Sequence, residues 1–234
     1  MSQPIPKMFK IDYNETEQIA LSNQNTLRIT VGVLGMALPL LLYLFLYVDM
    51  GYGTTLPSIS HYYFTRVCGI FVAILSVLAI FLLIYKGRAP LDFYLSALAG
   101  IFALFVVLFP CDNITGVFTV TVLKVSKFRP IFHYVSAAIF LLSLAIMALF
   151  VFTKSDKSKE DRGVQKRRRN RLFRTTGVIM LLAIGTILAG GLHLFGKEFN
   201  EFYDQHHLTF WMETVAVESF GLSWLVKGGA IMAD

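Results

Sequence analysis

Six long apolar runs dominate the 234-residue chain, and short polar segments separate them. Each run comes close to or reaches the roughly 20 residues that an α-helix needs to cross a bilayer. Because lipid offers no hydrogen-bond partners to irregular backbone, apolar runs of this length predict helices. The sequence therefore predicts an all-α polytopic bundle of six transmembrane helices. The predicted spans cover about residues 29–48, 62–85, 91–109, 131–153, 175–195 and 208–226.

The predicted domain organisation is a single membrane domain with short ends. Residues 1–28 form a polar N-terminal tail, residues 29–229 form the transmembrane domain, and residues 230–234 form the C-terminus. Gly32 and Gly35 in the first span offer a surface for close helix packing.

Composition agrees with a membrane protein and argues against a soluble one. The chain is 56% hydrophobic and only 15% charged, whereas soluble domains carry about 25% charged residues. We therefore expect a multi-pass protein integral to a membrane, whether a bacterial inner membrane or a eukaryotic endomembrane or plasma membrane.

Positive charge is concentrated in one segment, which sets the expected orientation. The stretch Lys154–Arg174 carries ten of the 21 Lys and Arg residues. Short basic loops beside membrane spans stay cytoplasmic, so both termini are predicted to be cytoplasmic. Anionic lipid headgroups on that side are the expected partner of the net charge of +6, rather than nucleic acid. The predicted headgroup contacts are Lys166, Arg167, Arg168, Arg169 and Arg171.

This orientation places all five histidines at the extracytoplasmic side, where the loops are predicted to form a cap. Three interpretations stay open. The side chains suit the headgroup layer, or they line a pocket for a lipid headgroup or small ligand, or they hold zinc. The predicted zinc ligands are His133, His206 and Asp112, although neither an HExxH nor a CxxC motif is present. The candidate pocket comprises His61, Arg66, Asp112, His133, His193, His206, His207, Glu213 and Glu218.

The last apolar run is unusual because it contains two carboxylates. Glu213 follows His206 by seven residues, or two helical turns, so one helix would present both on one face. Carboxylates at membrane depth are paired, protonated or turned towards a cavity. Arg66 is the expected ion-pair partner of Glu213. Glu218 is expected either to be a neutral acid bonded to a Ser, Thr or Tyr hydroxyl group on a neighbouring helix, or to relay protons or a ligand.

Two segments and the six-span layout resemble a known group of proteins. The segments are LAGIFALFVVLFPCDN and IFHYVSAAIFLLSLAIMALFVFTKS, in which Phe109, Pro110 and Asp112 end the third span and His133 opens the fourth. They are similar to a family of bacterial six-span membrane proteins of uncharacterised function, itself distantly similar to DRAM/Sfk/Frag-type membrane proteins. The resemblance implies an integral membrane protein without established catalysis, linked to lipid organisation or trafficking.

The sequence thus favours a non-enzymatic membrane protein that binds lipid, or assembles with membrane partners or its own copies, through the extracytoplasmic pocket. One alternative is a zinc-dependent hydrolase of a lipid headgroup at the outer leaflet. A second is a small proton-coupled transporter. Cys68 and Cys111 are expected near the same membrane face, and whether they form a disulfide stays open.

Overall fold

Helices account for the regular structure of this chain. The computed structural model describes residues 17–87, 89–154 and 163–232, with side chains from residue 24 onward. Seven α-helices follow one another within these ranges. They are α1 Glu17–Met50, α2 Cys68–Ile84, α3 Pro90–Leu108, α4 Phe128–Ile146, α5 Val164–Gly191, α6 Lys197–Gln205 and α7 Leu208–Gly228.

Two shorter helical segments complete the description. A 3₁₀ helix, Ile59–Phe64, precedes α2, and a π-helical stretch, Met147–Val151, extends α4. The described residues contain no β-strand, only an isolated bridge between Thr65 and Thr119. The prediction of an all-α fold is confirmed for this part of the chain.

Among the described residues, four helices are long and apolar enough to cross a membrane: residues 24–50, 90–108, 128–151 and 164–191. Their length and composition indicate a multi-pass membrane protein. Helix α2 is apolar but has only 17 residues, and α7 carries Glu213 and Glu218 within its length.

Six helices pack as a closed ring, because α7 lies between α5 and α1 while the others follow sequence order. Two ends of this ring are named here. The cap end carries the connections 51–67, 109–127 and 192–207, and the basic end is where α5 begins at Val164.

Glycines let α1 and α7 approach closely. A Cβ atom on Gly32 would lie 2.8 Å from the carbonyl oxygen of Gly221, and one on Gly221 would lie 2.7 Å from that of Gly32. Both distances are shorter than real Cβ contacts, so larger side chains would push the helices apart. The predicted packing role of Gly32 is confirmed, and Gly35 lies against the Phe220 ring in the same interface.

Several helix boundaries differ from the prediction. The second apolar run was expected to be helical from Tyr62, but α2 begins at Cys68, after the 3₁₀ helix and a turn. The basic stretch, expected to be a loop, is helical from Val164, because Lys, Arg and Gln are strong helix formers. Residues 155–162 of that stretch and residues 1–16 of the predicted tail lie outside the described residues.

The segment 196–207, expected to be a loop, contains helix α6. Its Phe199, Phe202 and Tyr203 are three and four residues apart, a spacing that puts them on one helix face. Tyr203 is buried, and its ring packs against Gly190 of α5.

Candidate functional site

Hydrogen bonds connect the loop between α1 and α2 to the start of α7 at the cap end. The backbone N–H of Ile59 donates to Glu213 Oε2 at 2.6 Å, and the N–H of Phe210 donates to the carbonyl of Pro57 at 3.1 Å. Thr55 Oγ1 also lies 3.3 Å from His207 Nδ1. The Glu213 carboxyl group therefore caps the 3₁₀ helix from another element.

His133 of α4 joins two other segments beneath the cap. Its Nδ1 lies 2.8 Å from the carbonyl oxygen of Phe109, and its Nε2 lies 2.9 Å from Ser60 Oγ. A carbonyl only accepts, so Nδ1 carries the hydrogen and Nε2 of the neutral ring accepts from the Ser60 hydroxyl. The ring is only 2% exposed. Both nitrogens are engaged within the protein.

His61 is held in the same loop by a short bond to Ser58 Oγ, 2.7 Å from its Nδ1. Burial, with the neighbouring His133, lowers the pKa of His61 to about 4, although Asp112 opposes the shift. A nearby His207 acts in the same direction as His133. His61 is therefore neutral at physiological pH.

The connection 109–127 is held by side chains rather than by a sheet. Asn113 donates from Nδ2 to the carbonyl of Leu123 at 2.6 Å and accepts at Oδ1 from the Leu123 N–H at 3.1 Å. Asp112 is exposed and accepts a 3.0 Å hydrogen bond from the Tyr134 hydroxyl.

Of the remaining histidines, His193 and His206 lie on the surface, whereas His207 is half-buried. His193 is exposed, with its backbone in the left-handed region. His206 is exposed, bonds to the Phe202 carbonyl at 2.9 Å and stacks on the Phe202 ring. The left-handed backbone of His207 separates α6 from α7. This break leaves His206 at the end of α6 and Glu213 within α7. The prediction that one helix carries both residues is therefore wrong.

Two predicted pairings within the pocket are wrong. Arg66 Nε lies 3.2 Å from Asp49 Oδ2 at the surface, rather than beside Glu213. No group of three His, Cys, Asp or Glu side chains in the described ranges is placed to hold a metal ion, so His133, His206 and Asp112 are not brought together as a ligand set. Cys68 and Cys111 are free thiols.

Two grooves run along α7, and they meet at Glu218 and Met36. The basic-end groove, of about 580 Å³, lies among α1, α5 and α7. The cap-end groove, of about 780 Å³, lies among α1, the loop 53–55 and α7. Glu218 makes no hydrogen bond or ion pair with any described residue, which distinguishes it from Glu213.

The basic-end groove combines apolar walls with arginines at one end. Its polar lining residues are Arg168, Arg171, Thr175, Thr176, Glu218 and Ser219. Met36, Leu172, Ile179, Leu222 and Met232 supply the apolar surface. Along α5 the groove extends from Arg168 to Ile179, which is about 16 Å at the helical rise per residue.

The five predicted headgroup contacts separate into two kinds. Lys166 Nζ donates to the Phe152 carbonyl at 3.3 Å, and an Arg169 Nη donates to the Val226 carbonyl at 3.3 Å. Arg167 also has an interaction within the protein. Arg168 and Arg171 have neither an ion pair nor a hydrogen bond to any residue that the structure describes, and both line the groove.

A buried ion pair at the basic end was not predicted. Asp92, only 3% exposed, lies 2.9 Å from Lys154 Nζ, and its other oxygen accepts from the Ala89 N–H at the start of α3. The signal in the sequence is Ala-Pro-Leu-Asp, with Pro in the first turn and Asp three residues after Ala89.

A scan of protein-family models finds no match to this chain, and searches of curated proteins and of solved structures find none either. The resemblance to the bacterial six-span family and to DRAM/Sfk/Frag-type proteins stays a prediction.

Proposed function

We propose that this chain is a non-enzymatic integral membrane protein that binds an anionic phospholipid in the basic-end groove. Arg168 and Arg171 hold the phosphate, and the apolar walls between α1 and α5 hold an acyl chain. The observation that carries this proposal is the position of two arginines, without partners among the described residues, at the end of an apolar groove. Arg presents a planar fork of donors that matches phosphate oxygens.

The proposal moves the site from the extracytoplasmic pocket to the opposite end of the bundle. His133 and Glu213 form hydrogen bonds with other residues of the chain, so fewer of their polar atoms are available to a ligand. The groove offers charged groups that have no such partners among the residues described by the structure.

The orientation and the number of spans form part of the same proposal. We propose six spans, α1 to α5 and α7, with the basic end and both termini on the cytoplasmic side. The basic residues of α5 support this orientation, and the place of α7 in the helix ring supports counting it as a span. A membrane-impermeant thiol label at Gln165→Cys, in a Cys68→Ser background, is expected to react only after the cytoplasmic side is exposed. Reaction from the outside would contradict the orientation.

Native mass spectrometry of the purified chain tests the lipid site. Phosphatidylglycerol is expected to be retained in preference to phosphatidylcholine. Arg171→Gln is expected to weaken retention about fivefold, because one basic residue near a lipid phosphate contributes about 1 kcal/mol. Arg168→Gln combined with Arg171→Gln is expected to abolish the preference.

Arg174→Gln provides the matched control. Arg174 is exposed on the same helix, three residues after Arg171, but it does not line the groove. Thr175→Trp, which fills the groove without changing charge, is expected to reduce retention of both lipids. Equal losses in the Arg171 and Arg174 variants would contradict a defined site and leave only general attraction of the basic end to anionic membranes.

A further inference from the structure

The cap-end groove has a different chemistry from the basic-end groove. Its walls come from α1, from the loop 53–55 and from α7. Its volume of about 780 Å³ lies within the range of sites that enclose small organic molecules. Glu218 is the one charged side chain among its lining residues.

Three aromatic side chains line the same groove: Tyr43, Phe210 and Trp211. The Tyr43 hydroxyl donates to the Gly53 carbonyl at 3.2 Å, which fixes one ring against the loop. Phe210 is buried, whereas Trp211 is 51% exposed and forms part of the outer wall. Aromatic faces attract organic cations, most strongly when water is excluded.

Helical spacing places these groups in line with the carboxylate. Trp211, Thr214 and Glu218 lie three, four and seven residues apart, so they share one face of α7. Met36, Leu40 and Tyr43 share one face of α1 in the same way. A molecule between these faces would have aromatic rings near the cap end and a carboxylate about 10 Å deeper.

A charged carboxylate without a partner in an apolar groove is unfavourable unless it takes up a proton or a positive charge comes to it. Within the described residues no Lys or Arg side chain lines the cap-end groove. Arg168 and Arg171 line the basic-end groove, which Glu218 also borders, but neither forms an ion pair with it. In the cap-end groove, a positive charge beside Glu218 would have to come from a ligand.

We propose that the cap-end groove binds an amphipathic organic cation with a single positive charge, held by Glu218 and by the rings of Tyr43, Phe210 and Trp211. This site is separate from the phosphate-binding end of the proposed lipid site, and it selects the opposite charge.

Equilibrium binding of radiolabelled tetraphenylphosphonium to the purified full chain in detergent tests the proposal. Saturable binding of about one cation per chain is expected. Glu218→Gln is expected to weaken binding at least about tenfold, because it removes the charge. Trp211→Leu is expected to weaken it about fivefold through loss of one cation–aromatic contact.

Three controls make the result decisive. Glu198→Gln removes one exposed carboxylate on α6, outside the groove, and is expected to leave binding unchanged. Arg171→Gln is expected not to weaken binding, so failure of the lipid proposal and failure of this one are distinguishable. Glu218→Asp, which keeps the charge, is expected to retain most of the affinity and guards against a folding defect in Glu218→Gln.

Two results would overturn the proposal. One is equal affinity of the native chain and Glu218→Gln for the cation. The other is equally strong competition by triphenylphosphine oxide, a neutral molecule of similar shape, which would reduce the groove to an apolar surface without charge selection.

Discussion

The cap and the grooves both contain polar side chains, but they use them in opposite ways. In the cap, His133 has a partner at each ring nitrogen, and Glu213 accepts a short backbone hydrogen bond. In the grooves, Glu218, Arg168 and Arg171 have no partner among the described residues, although they lie beside apolar surface. The proposed binding sites therefore lie where polar side chains have no partner among the described residues, and not where histidines are most numerous.

Among the substitutions that test this comparison, His133→Ala is expected to have the largest effect on stability. His133→Ala leaves the buried Ser60 hydroxyl and the Phe109 carbonyl without their partner. Each buried polar group left unsatisfied costs about 1–3 kcal/mol, so we expect a loss of about 4 kcal/mol in the free energy of unfolding. Denaturant unfolding in detergent micelles measures this loss.

His193→Asn is the control for that experiment. His193 is exposed, and Asn tolerates its left-handed backbone. A change below about 0.5 kcal/mol is expected. If both variants lost the same free energy of unfolding, the hydrogen bonds of His133 would not make it more important to stability than the exposed His193.

The apolar part of this fold follows directly from the sequence, because hydrocarbon requires the backbone to bond within its own segment. The positions of α3, α4 and the apolar part of α5 were therefore predictable. The start of α2 was not, because Ser58, Ser60 and Thr65 bond to distant or local partners that make a 3₁₀ helix and a turn instead.

The candidate site was less predictable than the helices. Their similar depth in the membrane suggested that Arg66 is the ion-pair partner of Glu213. The observed partner is instead the backbone N–H of Ile59, which lies 154 residues away in sequence. The count of histidines drew attention to the cap, whereas their partners are visible only in three dimensions. The sequence did single out Glu218 and Arg168, yet no spacing rule indicates that they lack partners in the described part of the chain.

Acid is expected to weaken the cap through His61. Above pH 6.5 this ring is neutral in both the folded and the unfolded chain. Between about 6.5 and about 4 only the unfolded chain takes up a proton, since the folded pKa is about 4. The free energy of unfolding should fall by about 2 kcal/mol across this window, allowing for partial exposure of the ring, and His61 should add no further loss below it.

Unfolding measured against pH for the native chain and for His61→Asn isolates this contribution. Asn keeps a polar group near Ser58 but does not titrate. The difference in free energy of unfolding between the two chains should not change with pH above pH 6.5 or below about pH 4. Parallel profiles between pH 6.5 and about pH 4 would mean that folding does not protect His61 from protonation.

The two carboxylates of α7 provide the most direct comparison. Glu213→Ala removes the hydrogen bond from the Ile59 N–H, leaves that group unsatisfied and is expected to cost about 2 kcal/mol. Glu218→Ala removes a group without a described partner and is expected to change stability by less than about 0.5 kcal/mol, or to increase it. Thermal unfolding of the two variants side by side checks the prediction, and a larger loss at Glu218 would reverse the assignment of structural and ligand-binding roles.

The smallest expected effect is a change in thiol reactivity that reports local opening of the cap. Cys111 is fully buried, and burial raises the pKa of its thiol, with the nearby Glu213 acting in the same direction. In a Cys68→Ser background, modification by a maleimide should therefore be slow, because the reagent needs both access and a thiolate. Glu213→Ala is expected to weaken the cap by about 2 kcal/mol, so the cap should open at least about tenfold more often. Glu218→Ala should leave the rate unchanged, since its groove lies along α7 away from Cys111. Equal acceleration in both variants would show that the two carboxylates stabilise the same region, and the distinction between a self-bonded cap and ligand-binding grooves would then fail.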